Sequence, residues 1–523
     1  MSNDTSTSSE IDSQQIAISG SVVAGLTAVS RVSGLVRDIM FSFFFGAGPF
    51  ADAFYVAFRI PNLFRRLVAE GAFAQAFVPV LTEYQTHNTR KELHDFVGYV
   101  SGAYLTAISA LCVLGVLAAP YLITLFTFGG WSGDLRHQAG TEMLRIMFPY
   151  LGLISLTAFA GAILNSYQRF AIPAATPILL NVSLIIAVVL GSSYSFNIGI
   201  ALALGVVVAG ALQLLAHVPT LVNLKMLVLP KISLKHSGVT EVFRRLGPGV
   251  YAASAGQINI LVGTIVASQC VVGSVSWLYY ADRLIELPVG IVAIALQTVL
   301  LPNLSRLIQR DQLAEFRQTL DWGFRLGIVL GLPASVALFL IAEALIATFF
   351  MHGAFDETDL VMCRVALQVF AIGVIPMVLT RVAAPGYFAR GDTKTPFKYA
   401  TVGVAVNVVI SIVSYRWLGL AGIAYATSVA AIIHCLLLVR GLTLDGMFKP
   451  SREFWKVLGA SVVACAAMSF FLLLIAGDTD FWTAKATLER ILWLAFLVSG
   501  GFVLYTVGLL VCGIRLTHLL NRN

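Results

Sequence analysis

The stretch AFYVAFRIPNLFRR, Ala53 to Arg66, comes back in altered form as WLYYADRLIELPVG, Trp277 to Gly290. Tyr55 and Tyr279, Ala57 and Ala281, Arg59 and Arg283, and Leu63 and Leu287 fall in step at an offset of about 224 residues, a weak internal repeat. Downstream, AFVPVL (Ala76 to Leu81) and VLLPNL (Val299 to Leu304) keep nearly the same spacing, as do Asn181 and Asn407. No single match carries the case. Their common order does.

The rest of the chain sets the class. Of 523 residues, 58% are hydrophobic and only 12% charged, too few charges to cover a soluble fold. Apolar windows long enough to span a bilayer recur from end to end, about 14 in all. They start near Ile16, Ala51, Asp95, Thr141, Pro173, Ile198, Val242, Val275, Thr319, Leu360, Pro396, Gly419, Phe454 and Ile491. The reading is an all-α polytopic membrane protein: two pseudo-symmetric six-helix lobes plus two C-terminal helices. An offset of six spans is even, so both halves share one orientation and are related by an axis along the membrane normal, with a cleft for alternating access. The expected divisions are 1–15, a disordered cytoplasmic tail; 16–235, the N-terminal lobe; 236–448, the C-terminal lobe; and 449–523, the extra pair.

The opening MSNDTSTSSEIDSQQ has no basic residue, so it does not read as a signal peptide. The net charge of +7 could suggest nucleic acid, but its distribution argues against that partner. One set of alternate connections carries about 20 Lys and Arg and the other about 4, which places both termini in the cytoplasm. The 6 cysteines and 8 histidines fall into no CxxC or metal-ligand spacing, so neither a metal nor another cofactor is expected. Every extramembrane connection is short, the longest lying around KMLVLPKISLKHSG. A membrane enzyme needs a framed set of catalytic groups outside the bilayer. The loop acids Asp134, Asp356, Glu357 and Asp359, which a glycosyltransferase would have to use, have no such frame.

Charge inside the apolar runs is the functional signal. Such residues are costly in lipid and usually face a cavity. The first span holds SRVSGLVRD, Ser30 to Asp38. Ser30 and Arg37 share one helix face, Arg31 and Asp38 another, and Gly34 leaves room for a ligand or a close helix approach. Arg31 and Arg37 stand about 9 Å apart along the axis and point roughly 120° apart. Pairing between Arg37 and Asp38 is the structural alternative. The second span carries Asp52, Arg59, Arg65, Arg66 and Glu70 around a helix-breaking Pro61. Arg66 and Glu70 are spaced to pair, whereas Arg59 and Arg65 show no local partner. The eighth span supplies Asp282, Arg283, Glu286 and Pro288, with Glu286 placed to satisfy Arg283. Arginines from both halves offer planar, permanently charged forks, which suit phosphate or pyrophosphate oxygens. A cationic-drug antiporter would instead need unpaired carboxylates.

Taken together, SRVSGLVRD, FGAGPFADAFYVAFRIPNLFRRLVAEGAFAQAFVPVL (Phe45 to Leu81), GSVSWLYYADRLIELPVG (Gly273 to Gly290) and AAPGYFARGDTKTP (Ala383 to Pro396) resemble the signature segments of the MurJ (MviN) lipid II flippases. The resemblance covers essentially the whole chain. It implies membership of the MATE-like superfamily and transfer of the undecaprenyl-pyrophosphate-linked peptidoglycan precursor, lipid II, to the periplasmic leaflet for cell-wall synthesis. It places the substrate-binding arginines at Arg31, Arg37, Arg65 and Arg283, and puts Asp38, Asp52, Glu70 and Ser276 at family-matching positions. Ser30, Gly34, Arg59 and Glu286 complete the expected cavity or gating set. The internal repeat aligns Arg283 with Arg59, whereas the motif match favours Arg65. The last two spans would form a groove for the polyprenyl tail. Membrane potential or an ion gradient would drive transport by a monomer, alongside cell-wall synthesis or division proteins. Some relatives bind sodium through carboxylates in the seventh and eleventh spans, but here no Asp or Glu lies between Arg245 and Asp282 or between Asp392 and Asp445. The alternative functions are export of another lipid-linked oligosaccharide or MATE-type drug antiport.

Overall fold

The computed structural model describes residues 4–69, 72–194, 197–232 and 236–515; Glu70 lies outside them. The chain divides into two compact units, residues 1–257 and 258–523. The first contains α1 (Asp4–Phe44), α2 (Pro49–Phe64), a π-helical turn (Arg65–Ala69), α3 (Ala72–His87), α4 (Arg90–Leu117), α5 (Ala119–Phe126), α6 (Leu135–Met147), α7 (Tyr150–Ser166), α8 (Ala171–Ser193) and α9 (Ile198–Asn223). Helix α10 (Ser237–Ser268) carries the chain into the second unit. There follow α11 (Ser274–Gln309), α12 (Leu313–Leu340), α13 (Ala342–Phe349), α14 (Glu357–Ala371), α15 (Val374–Phe388), α16 (Lys394–Leu418), α17 (Leu420–Leu444), α18 (Arg452–Ile475), α19 (Thr479–Thr483) and α20 (Thr487–Val511).

Among the described residues, 11 stretches are long and apolar enough to cross a membrane. The other three expected spans correspond to α1, the broken pair α2–α3, and α10. Helix α1 begins at Asp4, so the polar opening continues the first helix where the sequence had suggested a tail. Once an apolar run has nucleated a helix, each added residue costs little and gains a backbone hydrogen bond.

The repeat is visible in element lengths. Helices α4 and α12 each have 28 residues, and the short α5 and α13 each have 8. The stretches Leu135–Ser166 and Glu357–Phe388 each have 32. Local chemistry repeats too. Asp134 and Asp356 cap the starts of α6 and α14 by accepting backbone N–H bonds from Arg136 and Asp359. The short helices α5 and α13, absent from the sequence reading, are too brief for a periodic signal to reveal.

One pair of segments breaks the symmetry. Pro61 lies inside α2, which gives way to the π-helical turn at Arg65; its counterpart α11 runs unbroken for 36 residues despite Pro288 and Pro302. A proline removes one backbone donor and crowds the preceding turn, and a π-turn is one way a helix absorbs that misfit.

Packing within each unit is by aromatic and branched side chains. Phe73, Phe77, Phe96, Tyr104 and Phe159 form one cluster, with Phe73 and Tyr104 ring centres 4.4 Å apart. Leu300, Leu320, Phe324, Val382, Leu438 and Phe448 form the corresponding core of the second unit. In lipid no water drives helices together, so close approach through small residues matters more. The segment after α9 crosses α4 at Gly102, where an added Cβ would overlap the backbone of Lys231. Lys231 N donates to Gly98 O at 2.8 Å, and Lys231 Nζ meets Asp95 Oδ1 at 2.5 Å.

The extra pair docks on its own unit. Ser451 caps α18, and its N and Oγ donate to Asp321 on α12 at 3.1 and 2.8 Å. Arg325 joins Asp321 to Glu453 at 3.1 and 2.8 Å. Tyr505 Oη on α20 donates to Val329 O at 2.8 Å. Arg490, 7% exposed, donates to the carbonyls of Ala347, Met351 and Thr483. The outward faces remain apolar, with Phe470, Leu473, Leu474 and Phe502 exposed.

Two glycine substitutions test this packing. Gly102→Ala should destabilise the purified protein by about 1–3 kcal/mol, because backbone must move. Gly459→Ala on α18, where a Cβ meets nothing within 4 Å, should be neutral or stabilising by about 0.5–1 kcal/mol. Thermal unfolding in detergent measures both; the opposite order would refute the crossing.

Candidate functional site

Helix α1 presents its charge to α8. Arg37 is 5% exposed and Asp38 1%. Arg37 Nε and Nη2 donate to Asp38 Oδ1 at 2.9 and 2.7 Å, and Nη1 donates to Asn181 Oδ1 at 3.0 Å. The Asn181 Nδ2 group donates back to Ser30 O at 3.1 Å and Ser33 Oγ at 2.9 Å. Gly34 lies beneath it, its notional Cβ 3.6 Å from Asn181 Nδ2. Gly34 therefore lies at the α1–α8 contact, with ordinary contact space for a Cβ. The guanidinium also lies 5.6 Å from the Phe41 ring centre. So Arg37 and Asp38 do pair, and α8 supplies a third, neutral member. Arg31, two turns earlier, is exposed.

On α2, half-buried Arg59 precedes Pro61, and Arg65 opens the π-helical turn. Arg65 Nε donates to Asn62 Oδ1 at 3.0 Å, which supplies the local partner that carboxylate spacing had not indicated. Arg66 is exposed.

Asp52 belongs to a different node. It is 1% exposed in the first turn of α2, where the helix dipole favours a carboxylate. Arg136 Nη1 lies 4.0 Å from Asp52 Oδ2, while Arg136 Nη2 lies 2.6 Å from Asp134 Oδ2. The Arg136 guanidinium covers the buried Trp131 ring at 4.8 Å. Arg136 also holds the Asp134 carboxyl below the ordinary carboxylate range. This node ties α2 to α6. Sequence reasoning missed Arg136, since no short-range spacing relates it to Asp52.

In the second unit, Arg283 on α11 is partly exposed. Its Nη1 donates to Glu286 Oε2 at 2.7 Å and its Nη2 to Tyr279 Oη at 3.4 Å, with the guanidinium 5.2 Å from the Tyr279 ring centre. The expected i,i+3 pairing is present. Ser276 is fully buried in the first turn of the same helix. Next to it, Trp277 Nε1 donates to Asp359 Oδ1 at 2.7 Å. Asp134, Asp356 and Asp359 are thus occupied by caps and pairs, as suits structural acids.

The two halves use the repeated asparagine differently. Asn407 Nδ2 donates to Thr427 Oγ1 at 3.1 Å, and Ser411 Oγ to Asn407 Oδ1 at 3.5 Å; no arginine is involved in those bonds. Among the concavities, a groove of about 420 Å³ between α8 and α9 is lined by Ile186, Leu190, Tyr194, Leu204 and Val208. Its apolar lining suits lipid contact and includes none of the arginines.

The comparisons agree with this charge-bearing helical design. A family model described as lipid II flippase MurJ matches residues 41–520. A probable lipid II flippase MurJ of Vibrio cholerae is 37% identical over 97% of this chain and 98% of its own. The lipid II flippase MurJ of Burkholderia cenocepacia is 38% identical over 85% of this chain and 88% of its own. A solved lipid II flippase MurJ in an inward closed conformation superposes with a TM-score of 0.78 at 26% identity, covering 93% of this chain and 97% of its own. An inward-facing MATE-family multidrug transporter shares the fold alone, with a TM-score of 0.65 at 13% identity over 82% of this chain and 98% of its own.

The node at Arg136 is open to a double-mutant cycle. Asp52→Ala and Arg136→Ala should each lower stability, with a coupling of about 0.5–3 kcal/mol between them. Additive losses in thermal unfolding would show that the two groups do not interact. Because the Asp134 carboxyl is held low, its share of the stability should be complete above pH about 3.9 and fade as pH falls further.

Proposed function

This chain belongs to the MurJ family of lipid II flippases, and from that premise we propose a mechanism by which its intramembrane arginines handle the substrate. It is a multi-pass inner-membrane transporter of lipid II, not an enzyme. Arg31, Arg37, Arg65 and Arg283 serve as pyrophosphate ligands, with Ser30, Gly34, Asp38, Arg59 and Glu286 supporting them. The carrying observation is the buried Arg37, which among the described residues donates to the Asp38 carboxylate and the Asn181 amide within apolar helix packing. A permanent cation there is expensive to keep, and its planar fork matches phosphate oxygens.

Binding then becomes an exchange of partners. Pyrophosphate oxygens replace the amide or carboxylate acceptors, and release restores them. Alternating access fits a fold whose relatives include MATE transporters described in inward-facing and outward-facing conformations. Lipid II carries its negative charge outward, so an inside-negative potential favours the loaded step by about 2.3 kcal/mol per charge per 100 mV. This supports membrane potential as a driving force, with an ion gradient as the second candidate. The exposed apolar faces of α18 and α20 suit the polyprenyl tail. Both repeat halves lie in one chain, which supports action as a monomer. The charge asymmetry supports cytoplasmic termini, and cell-wall synthesis or division proteins are the partners to look for.

The test is the leaflet distribution of lipid II in cells depleted of this protein and lacking another flippase. Wild type should restore outward exposure. Each of Arg31→Ala, Arg37→Ala, Arg65→Ala and Arg283→Ala should insert normally yet lower translocation on the order of tenfold to a hundredfold, the cost of a charge-assisted bond. Wild-type activity from all four variants would overturn the site assignment.

A further inference from the structure

We propose that Asn181 on α8 is a positioning residue for substrate recognition: it holds Arg37 in a binding-competent orientation with an acceptor weak enough to be exchanged for phosphate. This rests on the reading of Arg37 as a pyrophosphate ligand.

The hydrogen-bond chemistry fixes the role. A guanidinium only donates, so the amide must turn Oδ1 toward Arg37 Nη1, 3.0 Å away. That orientation leaves Nδ2 facing α1, where the Ser30 carbonyl can only accept. Ser33 Oγ completes the set by accepting from Nδ2 and donating to Ser30 O at 2.9 Å. Asn181 is thus locked from behind by two groups on the helix that carries Arg37. Gly34 lies beside the amide, where a Cβ would meet Asn181 Nδ2 at ordinary contact distance. Asn181 itself is buried.

The choice of a neutral amide matters. Arg37 already has one carboxylate, Asp38, bonded through two of its nitrogens. A second carboxylate at position 181 would neutralise the guanidinium over again and compete with an incoming anion. An amide fixes the guanidinium plane without adding negative charge. The internal control is Asn407, whose amide bonds to Thr427 and Ser411. A scaffold role alone would treat the two asparagines alike.

Affinity for undecaprenyl pyrophosphate should be measured on the full-length protein in nanodiscs, with thermal unfolding in parallel. Asn181→Asp should weaken binding on the order of tenfold, and because one carboxylate oxygen then faces the Ser30 carbonyl it should also unfold below the wild-type temperature, so the comparison with and without Arg37 separates the two effects. Ser33→Ala, which removes one rear anchor, should weaken binding a few-fold and offers a second route should Asn181→Asp insert poorly. Asn407→Asp should leave affinity unchanged. In an Arg37→Ala background the effect of Asn181→Asp should vanish. Wild-type affinity in Asn181→Asp and Ser33→Ala, alongside loss of binding in Arg37→Ala, would overturn the positioning role and leave the arginine assignment standing. Wild-type affinity in Arg37→Ala would overturn both. An equal loss from Asn181→Asp with and without Arg37 would also overturn the positioning role.

Discussion

A guanidinium inside packed, lipid-facing helices must be paired, and the pairing of Arg37 organises what surrounds it. Asp38 neutralises it along α1, and Asn181 reaches it across the α1–α8 contact. Gly34 lies at that contact, and Ser30 and Ser33 hold the amide in turn. Sequence, packing and chemistry meet in these few residues. In the proposed mechanism, the same bonds that make the charge tolerable in the absence of substrate are the ones a pyrophosphate replaces.

The fold is doubled, but its chemistry is not. Paired elements of matching length and two aspartate caps recur across the units. The second-span segment breaks at Pro61 and the π-helical turn, while its counterpart continues as one helix. The repeated asparagine meets an arginine in the first unit and hydroxyls in the second. Duplication supplies a scaffold; divergence of single residues assigns work to each half. The extra pair α18 and α20 is fastened by polar bonds to α12 and α13 and leaves an apolar face outward.

Much of this was legible in the sequence. Long apolar runs announce spans, because lipid demands that backbone bonds be satisfied within each segment. Pairs close in sequence, such as Arg37 with Asp38 and Arg283 with Glu286, were readable from spacing. What stayed hidden depends on distant partners. Nothing near Asp52 points to Arg136, and nothing near Arg37 singles out Asn181 among the polar residues of other spans. Short elements such as α5 and α13 carry too few residues to set a period.

The central claim is that buried arginines recognise the pyrophosphate. The most direct measurement compares the affinities of undecaprenyl pyrophosphate and undecaprenyl monophosphate for the purified protein in nanodiscs, with wild type and Arg37→Gln side by side. The account predicts tighter binding of the pyrophosphate by wild type, with most of that preference lost in the variant. Equal affinity for the two lipids, or a preference undiminished in Arg37→Gln, would contradict it.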